Sequence, residues 1–556
     1  MACIKTHSGY YIFFLLILIF SCNDEASMAD LIIHNANIWT GNDVQPSADA
    51  LAVSGDTILA VGRHNDVLEL KGPETEVIDG RGKFIVPGFI DCHVHLMTGG
   101  RSLLSVDLRD AATPQEFIRR VGEYAKTLRP GEWILEGNWD HTLWGGELPH
   151  RNWVDSVTPD NPLFLSRLDG HMALANSLAL QFAQINKDTP EVDGGEIMKD
   201  AGENLTGILK DNAMSLVFEE VPPMNEAQRD KAFDAAMKYF LENGVTSVHD
   251  VDGLNGDVES YSTALRFRQL GDLQVRIYAA TPIKDWRRLA AMPDESDSYL
   301  RTGCLKGFVD GSLGSHTAAF HEHYTDKADD KGFFINTEED LNQWILDADR
   351  AGLHLFVHAI GDSANHTLLN IFEEVIRINE ERDRRFRIEH AQHLAREDIS
   401  RFQQLGVIAS MQPYHAIDDG RWAEAFIGPE RIKTTYAFQS LLDEGAILAF
   451  GSDWAVAPAS PLMGIYAAVT RRTLDGQNPD GWVPEQKITV EEALRAYTRA
   501  AAYASFEESI KGTLEAGKLA DFVLLSENIT EIDPNQIKNV QVLQTYVGGK
   551  KVFELN

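Results

Sequence analysis

The sequence predicts an α/β protein: a (β/α)8 TIM barrel with a composite β-sandwich from both chain ends and a large cap insertion after strand 1. From about residue 85 to 505, short apolar runs alternate with longer helical stretches, which is typical of βαβ units and a parallel sheet. Each run ends in a charged, polar or glycine-rich patch, as expected where a barrel assembles its active site. The eight predicted strands are residues 89–95, 245–251, 274–281, 305–311, 353–359, 386–391, 407–413 and 447–453.

The composition is that of a globular protein with an acidic excess. Hydrophobic residues make up 44% of the 556 residues and charged residues 24%, which excludes a disordered, collagen-like or many-span membrane protein. The 84 acidic residues outnumber the 50 basic ones, so the formal net charge is −34. Because this charge repels a phosphate backbone, nucleic acid is not expected as a partner.

The N-terminus reads as a targeting segment. Residues 10–20 are all apolar or aromatic, which is the size of a signal-peptide core and too short to cross a bilayer. The end of this run resembles a bacterial lipobox, so residues 1–21 are predicted to be a lipoprotein signal peptide and Cys22 to be lipidated. An ordinary secretory peptide cut nearby is the alternative. We therefore expect an exported bacterial lipoprotein, membrane-anchored through its N-terminal lipid, periplasmic or on the cell surface.

Both ends of the mature chain are β-like. Residues 22–84 and 506–556 contain short runs rich in Val, Ile and Leu between turn signals, and neither segment is long enough to bury a core alone. We expect them to form one β-sandwich into which the barrel, residues 85–505, is inserted. The cap, about residues 100–240, follows the first strand and is predicted to lie over the catalytic face, where the βα loops of a barrel are found.

Five side chains at the predicted strand ends suggest a metal site. His93 and His95 are two residues apart, so both lie on the same face of a strand. This pair alone is more often a surface or core feature than a ligand pair. His358, His390 and Asp453 fall at the ends of strands five, six and eight, which adds three donors at the same rim. Imidazole and carboxylate donors suit Zn²⁺, with Mn²⁺, Fe²⁺ or Ni²⁺ as alternatives.

Lys306 lies within the predicted fourth strand, where burial disfavours an ammonium group. Its side chain either reaches outward or is chemically altered. A neutral amine reacts with carbon dioxide to give a carbamate, an anion able to bridge two cations. The simpler alternative is an ion pair with Asp310.

Motifs from about residue 30 to 553 carry a family resemblance. They include FIVPGFIDCHVHL, LKGFVDGSLGSHTAAF, HAIGD, RIEHAQ, ASMQPYHAIDD, AFGSDWAVAP and GTLEAGKLADFVLL. Together they resemble the amidohydrolase superfamily, and more narrowly the branch that contains N-substituted formamide deformylases. The resemblance implies a TIM barrel, a composite β-sandwich and a centre of two divalent metal ions.

The resemblance also implies a role for each donor. The implied ligands are His93 and His95 on one ion, His358 and His390 on the other, a carboxylated Lys306 as the bridge, and Asp453. Asp453 is in addition the expected catalytic proton carrier. The implied reaction is cleavage of a C–N bond, of the amide or formamide type, by attack of a metal-bound hydroxide.

Five residues are candidates for substrate contacts. His171 in the cap is a candidate catalytic donor to the substrate carbonyl, and the alternative is that it only fastens the cap. Gln412 and His415 follow strand seven and are predicted to shape the substrate site. Trp139 and Trp454 are candidates for an apolar pocket wall, with packing as the alternative.

Two other functions stay open at this point. An ester or lactone hydrolase could use the same two-metal site, because the same attack suits any activated carbonyl. A lipid-anchored solute-binding protein could capture its ligand on the Trp-rich cap. Metal content and inactivation by chelators would separate the enzymes from the binding protein. The expected partner is a small amide-type molecule, and assembly as a homodimer is left open.

Overall fold

Eight parallel strands form the centre of the computed structural model, which describes residues 28–252, 260–293 and 295–555. Each strand pairs in parallel with the next along the chain. A parallel bridge between Val94 of the first strand and Trp454, four residues beyond the end of the eighth, leaves the barrel nearly closed. The strands are Phe89–Val94, Val245–Asp250, Arg276–Pro282, Leu300–Phe308, His354–Ala359, Arg387–His390, Ile408–Met411 and Ile447–Phe450.

All eight predicted strands are therefore confirmed. The first, second and fifth are buried along their whole length, as expected for a parallel sheet that helices cover. The helices of the barrel region are Leu96–Ser102, Glu226–Glu242, Ser260–Leu270, Trp286–Ala291, Glu338–Arg350, Asp362–Ile378, Ile399–Leu405, Pro413–Asp419, Ala423–Arg431, Phe438–Asp443, Pro461–Thr470, Val490–Ala496 and Arg499–Tyr503.

The two chain ends share one eight-stranded sheet. Phe84–Pro87 runs antiparallel to Phe522–Leu525, which joins strands from the beginning of the chain to strands from its end. The other members are Ala29–Trp39, Ser47–Ser54, Thr57–Gly62, Lys71–Asp79, Val542–Val547 and Lys550–Glu554, with a short helix at His64–Leu68. The two-layered sandwich and the boundaries at residues 84 and 506 stay predictions.

The insertion between the first two barrel strands has a five-stranded sheet of its own. In spatial order its strands are Gly195–Lys199, Leu205–Asp211, Met172–Ala175, Leu163–Arg167 and Ile134–Trp139. Its helices are Pro114–Ala125, Arg151–Val154, Ser177–Phe182 and Ser215–Phe218. Phe117 and Val121 on the first of these helices pack against the sheet in a separate apolar core.

The predicted signal peptide and the lipidation site at Cys22 lie outside the described residues. Within the described part of the chain, no helix is both long and apolar enough to span a bilayer. Cys92 and Cys304 are buried free thiols.

Candidate metal centre

A cavity of about 890 Å³ opens at the carboxyl ends of the barrel strands. The barrel contributes His95, Lys306 and His358 to its lining, and the insertion contributes Arg167 and His171. The volume lies within the range of small-molecule sites, which is roughly 300–1,000 Å³. His390, His415 and Asp453 also line it, so the cavity brings five of the six predicted ligands and two predicted substrate residues to a common space.

Asp453 lies at the centre of two groups of donor atoms. It forms one group with His93 and His95 and a second with His390 and His415, and the donor atoms of each group lie within 4.8 Å of one another. Asp453 Oδ1 is 3.5 Å from Nε2 of His93 and 3.4 Å from Nε2 of His95. This oxygen is buried without a hydrogen-bond partner among the described residues, as expected of an atom that coordinates a cation.

The charge of Asp453 is favoured by its neighbours. Burial acts to raise the pKa of this carboxyl, but the surrounding histidines, His93 foremost, hold it well below its ordinary value. Asp453 is therefore a carboxylate at neutral pH. A carboxylate shared by two groups of imidazoles is a donor set that suits divalent zinc.

His93 is oriented from behind by a buried carboxylate. Its Nδ1 lies 2.5 Å from Oε2 of Glu389, which leaves Nε2 facing Asp453. Glu389 in turn accepts a hydrogen bond from Arg387 Nε at 2.7 Å. Burial lowers the pKa of His93 to about 4, so its imidazole is neutral and able to bind a metal at neutral pH.

His95 is held by Asp252, whose Oδ1 is 2.8 Å from its Nδ1. Burial opposes the charged imidazole, but Asp252 and Asp453 raise the pKa of His95 to about 10. A cation that binds here therefore displaces a proton. Asp252 also accepts a hydrogen bond from the hydroxyl of Thr98 at 2.7 Å, which fixes the carboxylate.

His390 and His358 differ in their surroundings. His390 Nδ1 lies 2.8 Å from Oε1 of Gln412, so its Nε2 is left for the cavity. His358 donates from Nε2 to the carbonyl of Gly311 at 3.0 Å, which leaves Nδ1. The two rings are 4.5 Å apart between centroids, yet His358 belongs to neither donor group. The second group contains His415 instead, which the sequence analysis assigned to substrate contacts.

Lys306 is close to the first donor group. Its Nζ is 3.1 Å from Nε2 of His93, and burial lowers its pKa to about 8. The alternative of an ion pair with Asp310 is wrong. The Asp310 carboxylate instead accepts backbone N–H groups, including those of Ile360 and Gly361. Lys306 is thus buried and lies against a candidate metal ligand.

His171 reaches the cavity from the insertion. Its Nδ1 lies 2.6 Å from Oδ1 of Asp211, and its ring centroid is 5.1 Å from that of His358. Burial disfavours its charged form, but Asp211 raises the pKa of His171 above its ordinary value. A protonated ring held at Nδ1 leaves its Nε2–H as a donor.

Three predicted substrate residues are not brought to the cavity wall. Trp139 is buried in the core of the insertion and donates from Nε1 to the carbonyl of Leu165 at 2.7 Å. Trp454 stacks on Tyr239 with ring centroids 5.1 Å apart, and Gln412 is buried behind His390. None of these three lines the cavity. The packing alternative therefore describes both tryptophans. Their large apolar rings are buried in the protein interior and do not form part of the polar cavity wall.

Charged contacts tie the insertion to the barrel loops. Arg421, which follows strand seven, donates to Oδ2 of Asp140 in the insertion at 3.1 Å. Asp169 of the insertion accepts hydrogen bonds from Ser312 at 2.5 Å and Ser315 at 2.9 Å, both in the loop after strand four. These residues lie at or beside the cavity, so its wall is built from both units.

Sequence reasoning missed Glu389, Asp252 and Asp211, the partners of three predicted site histidines. In the sequence, these carboxylates lie 296, 157 and 40 residues from the histidines that they contact. One signal was available. Glu389 lies in a short buried strand, where a carboxylate needs a partner.

Comparisons with known proteins give a consistent result. A family model described as "Amidohydrolase family" matches residues 76–553. The protein Long After Far-Red 3 of Arabidopsis thaliana is 40% identical over 543 residues, covering 95% of this chain and 92% of that protein. An N-substituted formamide deformylase of Arthrobacter pascens is 30% identical over 547 residues, covering 95% and 99%. The solved structure of an uncharacterized metal-dependent hydrolase from Pyrococcus horikoshii matches with a TM-score of 0.74 and 27% identity, covering 91% and 99%.

Proposed function

Because the chain belongs to the amidohydrolase family and its fold matches that of an uncharacterized metal-dependent hydrolase, we propose that it cleaves a C–N bond of the amide or formamide type in a small molecule. The observation that carries this proposal is Asp453, a buried carboxylate shared by two histidine-containing donor groups at one end of a large cavity. The formamide deformylase among the relatives supports the kind of bond.

The donor atoms fit two divalent ions. His93 and His95 would hold one ion and His390 the other, with Asp453 common to both. His358 and His415 are the further candidates for the second ion, since each lies beside His390 or Asp453. Nitrogen and oxygen donors favour zinc, and a carboxylated Lys306 is the proposed bridge. When bound, such ions polarise a substrate carbonyl and lower the pKa of water.

The chain's own residues then move the protons. Asp453 accepts the proton of the attacking water and passes it to the departing amine nitrogen as the C–N bond breaks. His171 donates a hydrogen bond from Nε2 to the carbonyl oxygen while that oxygen gains negative charge. The products are a carboxylic acid, formate in the case of a formamide, and an amine.

The insertion, about residues 100–240, is proposed to act as a cap on this site. Its contacts with the loops after strands four and seven support this role, because they hold it beside the donor groups. A cap excludes water from the site and selects the substrate. We assign residues 22–84 and 506–556 to one β-sandwich and residues 85–505 to the barrel.

We also propose that the protein is an exported lipoprotein, cleaved after residue 21 and anchored through Cys22. The support is the apolar run at residues 10–20 followed by the cysteine. Labelling with a radioactive fatty acid tests this proposal, since Cys22→Ser should abolish the label. Assembly as a homodimer is a further proposal, and light scattering of the mature protein would test it.

A substrate screen tests the proposed reaction. Purified mature protein, loaded with zinc, is assayed against N-formyl amines, N-acyl amines and cyclic amides, and in parallel against matched esters and lactones. We expect turnover of amide-type substrates that is lost with a chelator and in Asp453→Asn. Faster turnover of the esters or lactones would favour the alternative bond class. Tight binding of a solute without turnover would favour the solute-binding protein.

A further inference from the structure

Another side chain of the insertion, Asp211, lines the cavity and has no role in the function proposed above. Asp211 is the last residue of the strand Leu205–Asp211 in the insertion sheet. Its φ is 44°, in the left-handed region that residues other than glycine rarely adopt. Such backbone strain persists only where the surrounding structure holds it, and it is enriched at functional sites.

Asp211 contacts His171 twice. Its backbone N–H donates to the carbonyl of His171 at 3.1 Å, and its carboxylate Oδ1 lies 2.6 Å from His171 Nδ1. The backbone contact alone would already fasten the two segments. The side-chain contact adds something that a fastening does not need, because it fixes which ring nitrogen faces the carboxylate and which faces the cavity.

The Asp211 carboxylate is also buried with one oxygen unused. Oδ2 has no hydrogen-bond partner among the described residues. A buried carboxylate that lacks part of its hydrogen bonding is costly, so an apolar or amide side chain would stabilise a purely structural contact better. The cost is explained if the negative charge itself is needed beside His171.

Asp211 of the insertion lies close to the backbone of Gly311 in the barrel. A Cβ added at Gly311 would lie 2.9 Å from Oδ1 of Asp211, so the absence of a side chain at Gly311 permits this close approach. The carbonyl of the same glycine accepts the hydrogen bond of His358 Nε2. Asp211 thus lies against the backbone that orients a proposed metal ligand.

From these contacts we infer that Asp211 is a positioning residue for His171. It holds Nδ1 of His171 so that Nε2 faces the substrate carbonyl, and the insertion thereby completes the catalytic site as well as covering it. This inference rests on the proposed function, because it assigns Asp211 to the donor role of His171. The pair resembles in its geometry the carboxylate–imidazole pairs that fix ring orientation in other active sites.

A double-mutant cycle tests the inference. Asp211→Asn should lower kcat by about 10- to 100-fold, the usual cost of losing a carboxylate partner, with little change in KM. In a His171→Asn background the same substitution should have no further effect, because the group that it positions is gone. An equal loss in both backgrounds would overturn the inference, since a structural role of Asp211 is independent of the ring.

Glu196→Gln is the matched control. Glu196 lies on the neighbouring strand of the same hairpin, where it forms an ion pair of 2.7 Å with Lys210 and has a half-exposed side chain. The Glu196→Gln substitution removes a carboxylate from the same hairpin and leaves His171 and its contacts in place. We expect kcat within about twofold of the parent, which is the range of surface substitutions.

Crystal structures of the metal-loaded parent and Asp211→Asn separate this inference from the proposed function. We expect the His171 ring to rotate or to lose its defined position in the variant. A ring that keeps its place, together with unchanged kcat, would overturn the positioning role. If the parent hydrolyses none of the substrates, the proposed function fails, and the ring position alone then decides the role of Asp211.

Discussion

Glu389 and His93, which come from the sixth and first barrel strands, meet inside the barrel with 2.5 Å between Oε2 and Nδ1. Both side chains are fully buried. Arg387 lies on the other side of the carboxylate and lowers the pKa of Glu389 to about 2, against the opposing effect of burial. The imidazole is therefore held by a permanent negative charge in an orientation that directs Nε2 to Asp453.

Glu389→Gln should weaken metal binding. The amide still fills the space but carries no charge, and loss of such a carboxylate partner typically costs about 10- to 100-fold in metal affinity. Arg387 would also lose its charged partner, so we expect the free energy of unfolding to fall by about 3–5 kcal/mol. Competition with a chromophoric chelator and thermal melts measure the two effects.

Asp252→Asn is the matched variant, because Asp252 holds His95 as Glu389 holds His93, but among the described residues it is supported by the Thr98 hydroxyl instead of an arginine. It should lower metal affinity by a similar factor with a much smaller loss of stability. Unchanged affinity in both variants would mean that the two carboxylates do not orient metal ligands.

Asp453→Asn should abolish most turnover while the fold is kept. The amide cannot carry the proton between water and amine, and general acid–base groups contribute about 10²- to 10⁴-fold to rates. Circular dichroism and thermal melts check the fold, and kcat measures the loss. Asp443→Asn, on the exposed end of a barrel helix, serves as the control. Near-normal kcat in Asp453→Asn would remove this residue from the mechanism.

Removal of metal should inactivate the protein, and reloading should depend on pH. We expect about two zinc ions per chain at full activity. His95 has a pKa of about 10 without metal, so each binding event at this site releases a proton. Affinity should therefore rise by up to about tenfold per pH unit between pH 6 and 9.

Calorimetric titrations in buffers of different ionisation enthalpy count the protons that metal binding releases. Replacement of His95 by Gln should reduce this count. A binding constant that does not change with pH would contradict the assignment of His95 as a ligand.

Reactivation by bicarbonate should depend on the charge of Lys306. Only the neutral amine reacts with carbon dioxide, and the pKa of Lys306 is about 8 in the metal-free protein. With zinc present and dissolved carbon dioxide held at one concentration across the pH series, the reactivation rate of metal-free protein should rise about tenfold per pH unit below pH 8 and level off above it. Lys306→Ala should not respond to bicarbonate. Full activity of that variant would exclude a bridging carbamate.

The sequence was most informative where a pattern is local. All eight barrel strands could be predicted, because each is a short apolar run that ends in polar residues. Lys306 could be identified as unusual for the same reason, since its neighbours in the chain are buried. The geometry of His93 and His95 follows from strand alternation alone.

The residues that the sequence misjudged depend on tertiary contacts. Gln412 looked like a substrate residue but serves His390, and His415 belongs to a donor group. Trp139 could not be assigned to the interior of the insertion without its sheet. Asp252 is 157 residues from its partner His95, and no local pattern connects two positions so far apart.

The sheet shared by both chain ends has a consequence for biosynthesis. Lys83 Nζ donates to the carbonyl of Ser526, a contact between residues 443 positions apart. At roughly 5–20 residues per second, Ser526 is synthesised about 20 to 90 s after Lys83, so the N-terminal strands lack their partners until the chain is nearly complete. During that interval the strand Phe84–Pro87 presents an unpaired edge, which is a site for mispairing with other chains. Chaperones should therefore bind this protein mainly at its N-terminal strands. A chain truncated before Phe522 should aggregate even though its barrel is complete.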